Sequence, residues 1–322
     1  MNITLTDDEV GILLTAAVHA PSLHNTQPWR FEVHAPVIDV LLDAERTLPA
    51  SDPADRAARI GIGAAAFNIR VAAAMLGHDS RVVAEPDPGR PDIAARVFLG
   101  ARSTPVPTLG GLYGELSRRH TYRGPLLAHA VPPRVQARLD DATRAEGATL
   151  RWLDQDAKSR LAGLLRRTDA ADLRDEDRLH ERMSWIGGDG GTEGVQESAL
   201  GPMPVKPALV RDLSAGFDSA HRSQAVFEQD PAIAVLCTRQ EDTEAWLRAG
   251  MALQRTLLVA TSYDLVASFL NQVLESTASR TQVRDLIGGR SWPQMILRVG
   301  YPAQPNHVTS RRDWRESYDH WF

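Results

Sequence analysis

The chain has 322 residues, of which 43% are hydrophobic and 24% charged, a composition typical of a folded globular protein with one or two domains. Its net charge of −5 disfavours nucleic acid or an anionic membrane surface as a standing partner. The apolar runs are too short to span a membrane and the first residues lack a signal-peptide pattern, so we expect a cytoplasmic protein. The single cysteine, Cys237, lies in an apolar run, where a buried and inert thiol is expected.

The first part of the chain predicts a helix, a polar loop and a set of strands around a second helix. Thr6 and Glu9 form a capping box before an apolar stripe, and Pro21 is expected to end that helix. The polar loop that follows is closed by Pro28 and leads into a strand at Phe31. The patterns further predict a strand over 37–43, a long helix over 54–76, and strands beginning near 81 and 93.

The second part of the chain repeats this kind of pattern with more charged helices. Leu112, Tyr113 and Leu116 predict a helix that runs into a basic stretch, and Val131-Pro-Pro opens another. Downstream, the apolar patterns predict a strand over 149–153, two charged helices over 156–183, a strand over 233–238, a helix over 243–263 and a strand over 295–299.

The two long central helices align with one another as an internal repeat. Residues 59–75 match residues 246–262, which places Gly63 on Gly250 and Ala73 on Ala260. Both segments are apolar nearly all round, as buried helices are, and small residues at matched positions would allow a close crossing. The alternative is coincidence between two alanine-rich helices.

A glycine- and proline-rich segment, residues 186–207, differs in kind from the rest, and we call it the lid. It holds five glycines between Gly187 and Gly194 and three prolines further on. It lacks the GxxxxGK[ST] pattern and the strand-to-helix context of a phosphate-binding loop. We interpret it as a mobile cover over a site, with plain disorder as the alternative.

The polar loop carries a recognisable motif. The segment Pro21-Ser-Leu-His-Asn-Thr-Gln-Pro-Trp-Arg-Phe resembles the PSxxNxQPWxF signature of the FMN-dependent nitroreductase superfamily. In that family the segment forms one wall of the flavin pocket, so the resemblance implies that Ser22, Asn25 and Gln27 meet the pyrimidine edge of the flavin. The alternative is that these side chains only cap the loop.

A second motif, Arg118-Arg-His-Thr-Tyr-Arg123, resembles the basic run with which the family holds the FMN phosphate, although it lies in mid-chain here. Ser310-Arg311-Arg312 resembles the basic C-terminal segment of the family. Guanidinium and hydroxyl donors suit a phosphate dianion. Alternatively, Arg118 and Arg119 are cations stabilised at a helix C-terminus.

These motifs together resemble a tandem, Acg-like branch of the superfamily. That resemblance implies an α+β fold with two nitroreductase-like domains fused as an intramolecular pseudo-dimer, whose mixed, mainly antiparallel sheets are flanked by helices. We expect the halves to span residues 1–110 and 111–322, with one FMN between them because each motif occurs once. Such a chain would be a monomer or a weak homodimer.

The candidate site residues follow from the resemblance. A stretch after the second long helix would approach flavin N5, and here it departs from the family pattern at Asp264 and Phe269. His24, His120 and Cys237 make neither a triad nor a metal site by their spacing. The predicted cofactor-binding residues are Pro21, Ser22, Leu23, Asn25, Gln27, Arg119, His120, Thr121, Arg123, Asn271, Gln272, Arg311 and Arg312.

The implied function is FMN-dependent oxidoreduction. NAD(P)H would give hydride to flavin N5, and a nitroaromatic, a quinone or a similar small molecule would accept the electrons in ping-pong order. No residue is assigned as an obligate acid or base. One alternative is an FMN storage or sequestering protein under a closed lid, and a weaker one is dehydrogenase or dehalogenase chemistry on the same scaffold.

Overall fold

The computed structural model describes residues 4–102, 107–187, 191–214, 222–305 and 308–318. Within these ranges the chain forms two four-stranded antiparallel sheets and a short parallel pair. The described helices are α1 Asp7–Val18, α2 Arg56–Met75, α3 Pro107–Gly110, α4 Pro133–Arg144, α5 Gln155–Asp172, α6 Glu176–Trp185, α7 Thr243–Ser262 and α8 Thr277–Leu286. The described strands are β1 Trp29–His34, β2 Val37–Leu42, β3 His78–Ala84, β4 Ile93–Arg102, β5 Thr149–Trp152, β6 Met203–Pro204, β7 Gln224–Ala225, β8 Ala232–Thr238, β9 Val266–Phe269 and β10 Trp292–Gly300.

The two sheets share one topology. The first has the order β1-β2-β4-β3 and the second the order β5-β8-β10-β9. In each half the chain runs through a short helix, two strands, a long helix and two more strands; α1 and α2 serve the first half, α4 and α7 the second. In the second half, helices α5 and α6 and the pair β6–β7 are inserted between β5 and β8, and α8 is inserted between β9 and β10. The predicted α+β fold with two fused copies is therefore confirmed, whereas the boundary at residue 110 stays a prediction.

The two halves meet where α2 crosses α7, and glycines make that crossing possible. A β-carbon added to Gly63 would clash with the carbonyl oxygen of Leu247 and lie 3.1 Å from the Cα of Gly250. A β-carbon added to Gly250 would clash with the carbonyl oxygen of Ile60. The aligned glycines of the predicted repeat therefore face each other across the crossing, and coincidence is not a sufficient explanation of their alignment.

Helix α2 is buried on nearly all sides and is tied to its neighbours by side-chain amides. Asn68 donates to the carbonyl oxygen of Ala16 in α1 at 2.9 Å, and Gln254 of α7 donates to Asn68 at 2.7 Å. Among the described helices, α2 is long and apolar enough to span a membrane, but 83% of that stretch is buried inside the protein. This burial is that of a core helix.

Most of the predicted helices and strands begin and end close to their predicted residues, and one predicted helix is wrong. The capping box of Thr6 and Glu9 opens α1, and α4 begins at the second of the two prolines, Pro133, with Pro132 as its N-cap. The helix predicted around Leu112 is instead a short 3₁₀ turn, Tyr113–Glu115. Glycines at 110, 111 and 114 explain the difference, because each costs roughly 1 kcal/mol in a helix relative to alanine.

The C-terminal residues return to the first half. Tyr318 forms a parallel bridge with Phe31 of β1, and the Trp314 ring lies against Gly11 of α1. Residues 308–318 therefore pack on the half that precedes residue 110, although the chain reaches them last.

We expect Gly63→Ala to weaken the assembly of the two halves. Its methyl group would force α2 from α7 and lower the free energy of unfolding by about 1–3 kcal/mol or more. Gly11→Ala is the matched control, because its methyl group meets only Trp314 at 3.7 Å and should stabilise α1 by about 0.5–1 kcal/mol. Urea unfolding of both variants measures this; equal stabilities would contradict the close crossing.

Candidate functional site

A cleft opens beside the helix crossing and is lined by both halves. Its empty space is about 890 Å³, counting the open mouth. The first half contributes the loop after α1 and the start of α2; the second contributes β9, β10 and the stretch between β9 and α8. The lining residues that the sequence predicted are Pro21, Ser22, Leu23, Thr121, Arg123 and Asn271.

The loop after α1 owes its shape to local hydrogen bonds and a close helix contact. Ser22 Oγ accepts a hydrogen bond from the backbone N–H of Gln27 at 2.9 Å, which closes the loop on itself. Gly61 of α2 lies against it, because a β-carbon there would be 3.4 Å from the carbonyl oxygen of Pro21. The fully buried Trp29 then anchors the loop to β1, as the sequence suggested.

Asn25 and Gln27 belong to this loop but do not line the cleft. Asn25 Nδ2 donates to the carbonyl oxygens of Gly194 at 2.9 Å and Ser310 at 3.1 Å. Gln27 Nε2 donates to the carbonyl oxygen of Thr192 at 2.8 Å. The predicted contact of these two amides with a flavin ring stays a prediction, and the structure gives both amides protein partners instead.

A group of basic side chains lies next to the cleft. It consists of the guanidinium groups of Arg119 and Arg311 and the imidazoles of His19 and His120, and we call it the cation cluster. Arg119 is 4% exposed and donates one hydrogen bond, to the carbonyl oxygen of His19 at 3.1 Å. Burial and the nearby Arg311 lower the pKa of Arg119 to about 9. Burial, followed by these arginines, lowers the pKa of His120 and of His19 to about 4.

The cation cluster contains buried donors without partners. In the described part of the chain, no hydrogen-bond partner reaches Nε of Arg119 or Nε of Arg311. Nδ1 of His120 also has no partner, but it is the unprotonated nitrogen of a neutral ring, because Nε2 donates to the carbonyl oxygen of Ser117 at 2.9 Å. A guanidinium rarely gives up its proton, so the lowered pKa values reflect positive charge that is buried without compensation. An anion with several oxygens would satisfy both the charge and the free donors.

Thr121 and Arg123 connect the cation cluster to the cleft. Thr121 forms a bridge with Ala267 of β9, which fixes this stretch to the edge of the second sheet. Arg123 donates to the carbonyl oxygen of Ala199 in the lid at 3.1 Å. Burial, then Arg311 and Arg211, lowers its pKa to about 10, so positive charge extends from the cluster along the cleft wall.

The two amides predicted to approach flavin N5 are separated by the structure. Asn271 lines the cleft, and its Oδ1 accepts a hydrogen bond from the backbone N–H of Ile296 at 2.8 Å. Gln272 is 1% exposed and is not among the residues that line the cleft. The neighbouring Phe269, which replaces the family's proline, is itself a lining residue.

Arg312 differs from its neighbour Arg311 in having carboxylate partners. Its side chain meets Glu193 at 3.1 Å and Glu316 at 3.5 Å, and its backbone N–H donates to Gln27 Oε1 at 3.0 Å. Its surroundings are those of a structural ion pair, and its predicted cofactor contact stays a prediction.

The described part of the lid is ordered by contacts with both halves. Val195 and Ile186 form a parallel bridge, and Glu193 pairs with Arg46 at 2.5 Å. The lid also has a small apolar cluster of its own, which disfavours the alternative of plain disorder for its described residues. The cluster consists of Ile186, Val195, Ala199 and Leu200 with Leu213. Residues 188–190, at its glycine-rich end, lie outside the described residues.

Sequence reasoning missed three charged residues of the cleft. Arg211, which follows the lid, forms a buried ion pair with Glu275 at 2.6 Å. Arg56 donates to the carbonyl oxygen of Gln294 at 2.8 Å, and burial lowers its pKa to about 10. Only Arg56 gave a local signal, because a cation in the first turn of a helix opposes the helix dipole. Cys237, in contrast, is buried as expected, and its pKa is raised to about 11 by that burial.

Several known proteins are similar in sequence to this chain. Residues 161–301 match the nitroreductase family model. The Mycobacterium tuberculosis protein named "Putative NAD(P)H nitroreductase Rv3131" is 31% identical over 320 residues, which cover 97% of this chain and 92% of that protein. This chain belongs to the nitroreductase family. A second relative from that organism, "Putative NAD(P)H nitroreductase acg", is 28% identical over 96% of this chain and 94% of its own.

Solved nitroreductases are also similar in structure to part of the chain. A Bacteroides fragilis nitroreductase with bound FMN covers 62% of this chain and 93% of its own, with 13% identity and a TM-score of 0.39. The NADPH:FMN oxidoreductase of Vibrio harveyi, complexed with NAD⁺, covers 61% of this chain and 71% of its own, with 13% identity and a TM-score of 0.36.

We expect the cation cluster to bind inorganic phosphate in the absence of any other ligand. Phosphate at ten times its Kd should stabilise the protein by about 1.4 kcal/mol, seen as a higher Tm than in chloride of equal ionic strength. Arg119→Met should abolish this shift without lowering the stability of the ligand-free protein, because it removes an uncompensated buried charge.

Arg118→Met is the matched control, since Arg118 is exposed and already paired with Glu115 at 2.7 Å. It should keep the full phosphate effect. A phosphate shift that survives in Arg119→Met would contradict the assignment of the cluster as an anion site.

Proposed function

We propose that the chain is an FMN-dependent oxidoreductase that binds one FMN in the cleft and uses NAD(P)H to reduce a small-molecule acceptor. The observation that carries this proposal is the cation cluster, whose buried donors at Arg119 and Arg311 fit a phosphate monoester. The family membership and the names of its mycobacterial relatives support the same conclusion.

The cleft residues suit a planar ring attached to that phosphate. Leu23, Phe269 and Met295 supply apolar walls that would exclude water from the ring faces. Ser22, Thr121 and Asn271 are the polar groups that could orient the ring edge. When bound, FMN supplies two-electron chemistry, taking hydride from a reduced nicotinamide and passing electrons to an acceptor such as a nitroaromatic or a quinone.

The two halves contribute different residues to the proposed site. The loop with Ser22 and Leu23 belongs to the first half, and Arg119 and Arg311 come from beyond residue 110. Since each half supplies a different wall, we propose that the halves divide near residue 110 and that a single chain, as a monomer, completes the site.

A second candidate function is storage or sequestration of FMN beneath the lid. It is favoured by the ties of Glu193, which bridges Arg46 of the first half and Arg312 near the C-terminus. A lid held from both sides would restrict the access of NAD(P)H to the cleft. The two candidates therefore differ in whether the lid opens fast enough for turnover.

Flavin reduction separates the candidates. The protein is first saturated with FMN, and the reduction of the bound flavin is then followed by anaerobic stopped-flow absorbance. If the protein is an enzyme, NADPH or NADH should reduce its flavin at least as fast as the enzyme turns over. A sequestering protein should be reduced slowly, and Glu193→Ala should then speed reduction by about tenfold, the effect of losing roughly 1.4 kcal/mol from lid closure.

Glu197→Ala is the matched control, because Glu197 is an exposed carboxylate of the same lid. It should leave the rate unchanged. If dithionite reduces the bound flavin but neither nicotinamide does so in any variant, the oxidoreductase proposal is wrong and the FMN proposal survives.

A further inference from the structure

The loop after α1 holds three non-glycine residues in the left-handed backbone region. The φ angles of His24, Asn25 and Gln27 are 49°, 58° and 53°. This conformation is unfavourable for a residue with a side chain and persists only where the surrounding structure enforces it. Contacts with the rest of the protein therefore hold the loop in this shape. The hydrogen bonds of its two side-chain amides, Asn25 and Gln27, show which parts of the protein the loop connects.

Two of these partners lie on either side of Arg311. Asn25 Nδ2 donates to the carbonyl oxygen of Ser310 at 3.1 Å, and Gln27 Oε1 accepts from the backbone N–H of Arg312 at 3.0 Å. The backbone on both sides of Arg311 is thus fixed by side chains from the other end of the chain. Arg311 itself interacts with the surrounding turn, through Thr309 Oγ1 at 2.9 Å.

The same two amides also hold the lid. The second hydrogen bond of Asn25 Nδ2 goes to Gly194 at 2.9 Å, and Gln27 Nε2 donates to Thr192 at 2.8 Å. Both amides are buried, at 5% and 0% exposure, so water does not replace a lost bond without cost. Each amide therefore touches the lid with one hydrogen bond and the Arg311 backbone with another.

We infer that Asn25 and Gln27 are positioning residues that place Arg311 in the cation cluster and dock the lid through the same two side chains. Anion binding and lid closure are then coupled, and the coupling is reciprocal: a bound anion stabilises the closed lid, and an open lid weakens the anion site. The inference rests on the proposed function only in identifying the anion as the phosphate of FMN.

The test compares FMN with riboflavin, which has the same ring but no phosphate. Asn25→Gly and Gln27→Gly remove the amides and keep a residue that tolerates positive φ. Each should weaken FMN binding by about five- to tenfold, a typical size for such coupling, and leave riboflavin binding within about twofold. Thr26→Ala, between the two amides, is the same-loop control and should change neither affinity.

An equal loss of FMN and riboflavin affinity would overturn the inference, because it would mean that the amides contact the ring. If wild type binds no flavin, the proposed function fails, and the coupling is then tested with inorganic phosphate. The phosphate-induced rise in Tm should be smaller in both glycine variants than in wild type, and an undiminished rise would overturn the coupling.

Hydrogen exchange on the wild-type protein tests the coupling without any substitution. Gly194 donates its N–H to the carbonyl oxygen of Asn25 at 3.3 Å, so its amide reports whether the lid is docked on the loop after α1. Adding phosphate should slow exchange in the peptide that contains residues 191–195 relative to chloride of equal ionic strength. Unchanged exchange at saturating phosphate would contradict the coupling.

Discussion

The contact on which the rest of the structure depends is the crossing of α2 over α7. Gly63 and Gly250 let two backbones approach until a single added methyl group on either would clash with a carbonyl oxygen of the other helix. Each long helix also packs on its own sheet, so this one contact fixes the two halves relative to each other. The cleft lies beside it, because the start of α2 and residues such as Leu253 of α7 form part of its wall.

The two halves repeat one fold, yet they are not equivalent as binding surfaces. In the first half, residues 19–28 connect the short helix to the first strand, and residues 21–24 of this connection line the cleft. Their counterpart in the second half is the tight turn 145–148, in which Glu146 pairs with Arg70 at 2.6 Å and with Arg255 at 2.8 Å. In the second half, ion pairs thus occupy the place that a second loop would need. In the cation cluster, by contrast, the buried donors of Arg119 and Arg311 have no partner among the described residues.

The sequence predicts features that depend on local patterns and misses those that depend on distant partners. The repeat, the capping box of α1 and the cleft-lining Ser22 and Thr121 could be found because each lies in a short motif. The hydrogen-bond partners of Asn25 and Gln27 could not be predicted, because residues 192–194 and 310–312 lie far from these two residues in the sequence. A short motif identifies which residues are grouped, but only the packed structure shows which way each side chain turns.

We propose that the two fused halves form one anion-binding cleft, which holds one FMN. The most direct measurement is to saturate the purified chain with FMN, remove the excess, release the bound flavin by denaturation and quantify it against protein. One equivalent per 322-residue chain is the predicted result. Two equivalents would contradict the inequivalence of the halves, and none would contradict the assignment of the cleft.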